Sequence, residues 1–438
     1  MSRTTDVVVV GSGMAGLAAA LAATARKCRV RVISEGAGAL AIAGGAFDLL
    51  GYDNTGNLLA NPFDGFVDLE PDHPYSLVGA DNVQKALEAV KAVLASRGLQ
   101  MRQATDENGK PRNFVLPTIM GTLKPTYCIQ DEIDPDLVEK AQKILVISVR
   151  GYRDCKPALI INQLRRYPSW ADREFQPYIL PQPFNERGRS LNALDLARVA
   201  DRADGEEWLL REAKDMGKGF DLALVPPILG ARANSLVRKR FAESLGCPVL
   251  ELLSIPPGVG GLRVRDALID NLRESGVEFY ENAKVVRAET DGGKCEGLVV
   301  NAVGREVTHK AKAYVIATGG IFNGGTLLEP GKAREAIFGI DIPVPENVED
   351  WTEQEIFGRH LITRLGVKAN TSLQACAEDG KVIINNAFFA GRTLGGYDYA
   401  SEKSGFGVAA ATGWHAGNMA ADLAGTAPLE NSESGGTL

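Results

Sequence analysis

Two observations predict an α/β fold built on a dinucleotide-binding domain. At each end of the chain, an apolar run breaks into glycines and then into small helix-forming residues. Between those ends, strand and helix patterns alternate, which predicts an α/β cap inserted into the domain. The 438 residues suffice for both units, and a composition of 45% hydrophobic and 24% charged residues is that of an ordinary globular protein.

The first unit is local. Val7–Val10 is a β-branched run of the kind found in buried parallel strands. It meets Gly11, Gly13 and Gly16, and Leu17–Leu21 reads as helix. A helix start carries unpaired N–H groups and a positive dipole end, which suits a pyrophosphate. Gly11 permits the turn, Gly13 lets the backbone approach phosphate, and Gly16 lets helix pack on strand. Met14 and Ala15 share that cradle. Cys28–Ser34 reads as a second strand, and Glu35, about 20 residues beyond Gly16, stands where an acidic ribose ligand is expected. In Ala39–Leu50, Gly44 and Gly45 allow either close approach to a flat ligand or a plain turn.

Asn82–Arg97 carries Val83, Leu87, Val90 and Leu94 at helical spacing, and Phe114–Cys128 reads as a hairpin around Met120-Gly121-Thr122. Strands are expected at Ile144–Val149, Phe175–Leu180 and Leu222–Val225, and helices at Lys156–Arg166, Leu191–Ala203 and Ser235–Leu245. The main domain resumes with a helix at Leu262–Glu274, strands at Val277–Tyr280 and Ala283–Glu289, and a hairpin of Gly297–Asn301 with Arg305–His309. The division is therefore 1–75 and 250–426 for the dinucleotide domain, 76–249 for the cap, and 427–438 for a disordered Gly/Ser/Glu-rich tail.

Ala313–Ala317 is another buried parallel strand, ending in Thr318-Gly319-Gly320. Phe388-Phe389-Ala390-Gly391 ends a further strand, and Ser404–Gly413 is a glycine-rich turn into a small-residue helix that places Gly405 and Gly407 at its start. Three such turns in this order are the pattern of a two-dinucleotide-binding-fold flavoprotein. The last helix start would then face the electron-rich edge of the flavin ring.

The net charge of −7 and the lack of any Lys/Arg block argue against nucleic acid. The six cysteines, at 28, 128, 155, 247, 295 and 376, form no CxxC, so no local run ligates zinc or an iron–sulfur cluster. An iron–sulfur relay would belong to another chain. The glycines interrupt the N-terminal apolar run and Asp6 precedes it, against a signal peptide. No stretch approaches the ~20 apolar residues of a spanning helix.

Stretches spread over nearly the whole chain resemble the B subunits of anaerobic glycerol-3-phosphate dehydrogenases. They are the N-terminal fingerprint, Gly45–Leu50, Gly121–Lys124, Asn192-Ala193 with Ala197-Arg198, Phe338–Asp341 and Gly395–Asp398. The most specific are His73-Pro74-Tyr75-Ser76-Leu77 and Pro256-Pro257-Gly258-Val259 with Gly261-Leu262-Arg263. The resemblance implies a three-chain complex with a second flavoprotein, the A subunit, and a membrane-associated iron–sulfur protein, the C subunit, held peripherally at the inner face of the cell membrane. It implies oxidation of sn-glycerol 3-phosphate to dihydroxyacetone phosphate with electrons passing to quinone. The family is usually assigned FMN, and Glu35 departs from its pattern. FMN has neither adenosine nor pyrophosphate, so Gly11–Gly16 and Glu35 favour FAD.

Arg263, Arg392 and Lys124, from family-like stretches, are the candidates for holding the substrate phosphate. Of the four histidines, His309 reads as solvated and His73 as either loop-ordering or catalytic, and none is assigned as the base. Two other readings stand beside this one: a stand-alone fumarate-reductase-like flavin oxidoreductase, and a non-catalytic docking protein.

Overall fold

A computed structural model describes residues 5–130, 134–183, 190–355, 358 and 360–426, so the tail 427–438 lies outside the described residues. The nucleotide domain is a five-stranded parallel sheet in the order Glu278–Glu281, Val30–Ser34, Thr5–Val10, Ala311–Ile316, Ala387–Phe389. The first strand is central, with Val8 registered against Arg31 on one side and Tyr314 on the other. Its valines are wholly or almost wholly buried, in a core shared with the helices and with Leu298 and Val300 of an antiparallel strand. All five strands run the same way, so the turns after residues 10, 34, 316 and 389 gather along one edge. That edge is where ligands bind in open parallel sheets.

The first helix, Met14–Ala25, is buried on nearly every side. Small residues make this possible. The C-terminal helix, Gly405–Leu423, lies on it through Gly413 and Gly417, four residues apart and so on one face. A Cβ at Gly413 would stand 2.1 Å from the Ala15 carbonyl oxygen, and one at Gly417 would stand 2.3 Å from that of Ala19. The two helices touch backbone to backbone.

A second core surrounds a four-stranded parallel sheet in the order Val249–Glu251, Leu222–Val225, Lys143–Val149, Glu174–Leu180. Its helices include Pro157–Leu164, Ala193–Ala200 and Val237–Leu245, as the sequence patterns imply. Asn192 and Asp195 form a capping box at the start of the second of these. The helix Ala80–Ser96 differs from expectation. Its stripe of Val83, Leu87, Val90 and Leu94 joins the core of the nucleotide sheet, not that of the inserted unit.

Phe114–Pro117 and Leu123–Thr126 pair as the expected hairpin. Ala283–Asp291, Lys294–Ala302 and Arg305–His309 form an antiparallel meander. A small sheet of Thr326–Glu329, Lys332–Glu335 and Asp341–Ile342 has no counterpart in the sequence patterns. No helix among the described residues is long and apolar enough to cross a membrane.

Candidate functional site

The first turn is built by steric necessity. Gly11 has φ +109°, and a Cβ there would lie 2.3 Å from the Ala317 carbonyl oxygen. A Cβ on Gly16 would lie 1.9 Å from the Gly11 carbonyl oxygen. These two glycines fold the turn onto itself and onto the neighbouring strand end. Gly13 differs, since an added Cβ would meet nothing within 4 Å. It caps a helix with no side-chain cap and no acid in its first turn, so the opening presents backbone N–H groups and a positive dipole end. Met14 and Ala15 are the next two residues of that turn.

The turn after the second strand is tied to this cradle. Ser12 Oγ donates to the Gly36 carbonyl at 3.1 Å, and a Cβ on Gly38 would come 2.9 Å from Gly13 Cα. Glu35 thus stands beside the Gly11–Gly16 turn. It is largely exposed and only loosely paired with Lys284, at 3.4 Å. A weak exposed pair of this kind leaves the carboxylate open to a hydroxyl.

The other turns converge on the same edge. Gly391 has φ +65°, donates its N–H to Thr412 Oγ1 at 2.8 Å, and would press a Cβ to 2.8 Å from that of Ala15. The Thr318 and Thr393 hydroxyls face each other at 3.4 Å, and Thr393 Oγ1 donates to the Gly319 carbonyl. Gly405 opens the C-terminal helix with only ordinary contact to Tyr399. Gly407 does not face a ligand as its sequence context implies. Its N–H donates to the Asp48 carbonyl at 2.8 Å, and a Cβ would lie 2.2 Å from the Tyr75 hydroxyl. Phe47 stacks on Phe406 at 3.7 Å, which fixes the same segment over the helix start.

Gly44 and Gly45 also differ from the flat-ligand reading. Cβ atoms there would meet Leu253 Cδ2 at 3.5 Å and Gly260 C at 2.4 Å. Gly258, Gly260 and Gly261, at the start of the helix Val259–Glu274, press equally closely on residues 40–44. The close approach is chain on chain. Gln130 seals it by donating to the carbonyls of Gly45 at 3.0 Å and Gly260 at 2.6 Å.

Arg263 is not open to a phosphate. Its buried guanidinium donates to both carboxylate oxygens of Glu251, at 2.6 and 3.1 Å, and to the Gly230 carbonyl. Burial alone pushes the Glu251 carboxyl up, but the charge and hydrogen bonds of Arg263 outweigh it and hold the group below its ordinary range. The adjoining cavity, about 30 Å³, has room for a water or two and no substrate.

Lys124 pairs with Asp48 Oδ2 at 2.5 Å, while Asp48 Oδ1 is buried without a partner. Lys403 belongs to the same cluster, and nothing in its local sequence marks it. It holds a left-handed conformation, φ 53°, and burial together with the Lys124 ammonium pulls its own ammonium below the usual lysine range. Lys403 Nζ donates to the Ala400 carbonyl at 2.5 Å, and both Asp48 and Asp398 act on its charge. His73 orders the loop: its Nδ1 accepts the Tyr75 N–H at 3.0 Å, and its Nε2 lies 3.3 Å from Glu402. His309 is buried, not solvated, with Nδ1 3.0 Å from Arg31. Burial and that arginine push its imidazole below its usual range.

The open Gly13 cradle, the uncapped helix start and the acid at the end of the second strand fit a dinucleotide carrying a pyrophosphate and a ribose. A family model described as an FAD binding domain matches residues 6–408, so the fold and cradle define a flavoprotein of that class, with FAD the favoured flavin. A probable B subunit of anaerobic glycerol-3-phosphate dehydrogenase from Halobacterium salinarum is 31% identical over 433 residues, covering 96% of this chain and 99% of its own. The B subunit of an anaerobic glycerol-3-phosphate dehydrogenase from Aliivibrio fischeri is 28% identical, covering 94% of each chain. The open conformation of a flavocytochrome c3 fumarate reductase is similar at a TM-score of 0.45 and 13% identity, over 97% of this chain and 79% of that one. The chain belongs to the family of anaerobic glycerol-3-phosphate dehydrogenase B subunits.

Proposed function

We propose that the chain is the B-type flavoprotein of a complex that oxidises sn-glycerol 3-phosphate to dihydroxyacetone phosphate and delivers the electrons to quinone. The observation that carries this reading is end-to-end similarity to a relative of that name, 96% of one chain on 99% of the other, with an intact Gly11–Gly16 cradle. Bound FAD supplies a two-electron acceptor for the hydride that leaves C2 of the alcohol. The N–H groups at the start of Met14–Ala25 hold the pyrophosphate, and Glu35 holds the adenosine ribose. The unit centred on the four-stranded sheet acts as the cap.

Lys124 and Lys403 attract the substrate phosphate, because two ammonium groups that repel each other there gain from an added anion. The partners are a second flavoprotein, the A subunit, and a membrane-associated iron–sulfur protein, the C subunit, which place this chain peripherally at the inner face of the cell membrane. The six cysteines are far apart in sequence and five are buried, which supports a cluster housed in a partner chain.

The test is co-expression with these two partners, acid release and chromatography of the flavin, and assay of glycerol-3-phosphate-dependent reduction of a soluble quinone. FAD and turnover are expected. FMN without FAD overturns the cofactor assignment, and a flavin-loaded complex that leaves glycerol 3-phosphate untouched overturns the substrate.

A further inference from the structure

Arg392 is a half-buried cation whose hydrogen-bond and ring partners are all neutral. Its guanidinium donates to the carbonyls of Thr363 at 2.8 Å and Tyr397 at 3.4 Å, and lies over the rings of Tyr399 at 4.7 Å and Tyr397 at 5.2 Å. Among the described residues no carboxylate forms an ion pair with it. Carbonyls and π faces position a guanidinium without neutralising it. A partly buried charge kept without a counter-ion is costly, so the site has a use for negative charge close by.

Its location says which charge. The preceding residue, Gly391, presses on Ala15 at the first helix start. A Cβ on Gly320, at the end of a central strand, would lie 3.5 Å from Arg392 Nη2. Tyr399, under the guanidinium, is in van der Waals range of Gly405 at the start of the C-terminal helix. Arg392 therefore stands on the ligand edge of the sheet, between a strand end and a second positive helix end.

We propose that Arg392 is the counter-charge that stabilises the reduced form of the bound FAD. This rests on the FAD reading of the cradle. A hydride brings two electrons and one proton to a neutral flavin ring and leaves it with one negative charge. A fixed cation favours that state over the neutral oxidised one, while a neutral hydrogen-bonding side chain does not. The role is distinct from holding substrate phosphate, the use its sequence context suggests.

The experiment is dye-equilibrated titration of the FAD-loaded protein without substrate, on wild type, Arg392→Lys, Arg392→Gln and Arg392→Met. Removal of the charge in Gln or Met is expected to weaken binding of reduced FAD about tenfold relative to oxidised FAD. That corresponds to a midpoint about 30 mV lower for a two-electron couple. Lys retains most of the wild-type midpoint. With two neutral variants of different shape, one that fails to fold leaves the other to decide. An unchanged midpoint in a neutral variant that holds FAD overturns the proposal. So does equal weakening of both redox states, the mark of a pyrophosphate counter-ion or a structural residue. A wild-type chain that takes up no flavin overturns the FAD reading along with it.

Discussion

Arg263 and Arg392 come from equally family-like stretches, yet the fold treats them in opposite ways. Arg263 sits where the two cores meet, its fork saturated by Glu251 and the Gly230 carbonyl. Arg392 sits on the ligand edge and is held only by carbonyls and tyrosine rings. One charge is consumed in joining two units. The other has no carboxylate partner among the described residues, only carbonyls and rings. Residue type and motif do not separate the two roles; the presence of a buried carboxylate does.

The contrast is most sharply tested at the junction. Arg263→Leu leaves buried Glu251 with only the Leu229 N–H and Arg238, 3.8 Å away, and is expected to lower stability by about 3 kcal/mol in denaturant unfolding. Arg263→Leu with Glu251→Leu should recover most of that loss. If the double variant is as unstable as the single one, the ion pair is not what the junction needs. On the crevice side, Gly413→Ala forces a methyl onto the Ala15 carbonyl and should cost about 1–3 kcal/mol, with weaker FAD retention on gel filtration.

Glu335 sharpens the comparison from the carboxylate side. It is fully buried, and its carboxylate accepts the N–H groups of Ile337 and Phe338, with no cation beside it among the described residues. Burial pushes it up to about 7, with those hydrogen bonds opposing. Its folded value exceeds its unfolded one, so its contribution is fully present below the ordinary glutamate range and is lost as pH rises through about 7. Unfolding free energy should fall by no more than about 1.4 kcal/mol per pH unit between about pH 5 and 7 and level off above, and Glu335→Gln should flatten that slope. Glu251, held low by Arg263, has the opposite sign: its contribution is lost only as pH falls through its lowered value. The smallest effect is expected of Arg392→Gln, under about 1 kcal/mol in stability, because no buried charge is orphaned.

What was legible in the sequence was local. The strand, glycine turn and helix of Val7–Leu21 lie within a few residues, so steric demand and chemistry are written side by side. Gly44 and Gly45 were legible as a turn. What they approach, Gly260, lies some two hundred residues away, and no spacing rule links them. Separation in sequence likewise hides the pairing of Asp48 with Lys124, 76 residues apart, and the proximity of Lys403. Gly407 and Gly405 read alike in the sequence, and only the packing of Tyr75 and Asp48 separates the tightly packed glycine from the open one. The spacing in Asn82–Arg97 predicts the helix that spans Ala80–Ser96, but its stripe does not say which core it joins. The small sheet over Thr326–Ile342 was missed because its strands are only two to four residues long.

The glycine contacts of the C-terminal helix carry a consequence for biogenesis. Gly413 and Gly417 complete the packing of Met14–Ala25, the helix whose start forms the cradle. A nascent chain that has left the ribosome only as far as residue 400 has the Gly11–Gly16 turn but lacks the surface against which that helix rests. The cradle helix therefore reaches its final packing only when a segment some four hundred residues further along the chain docks on it.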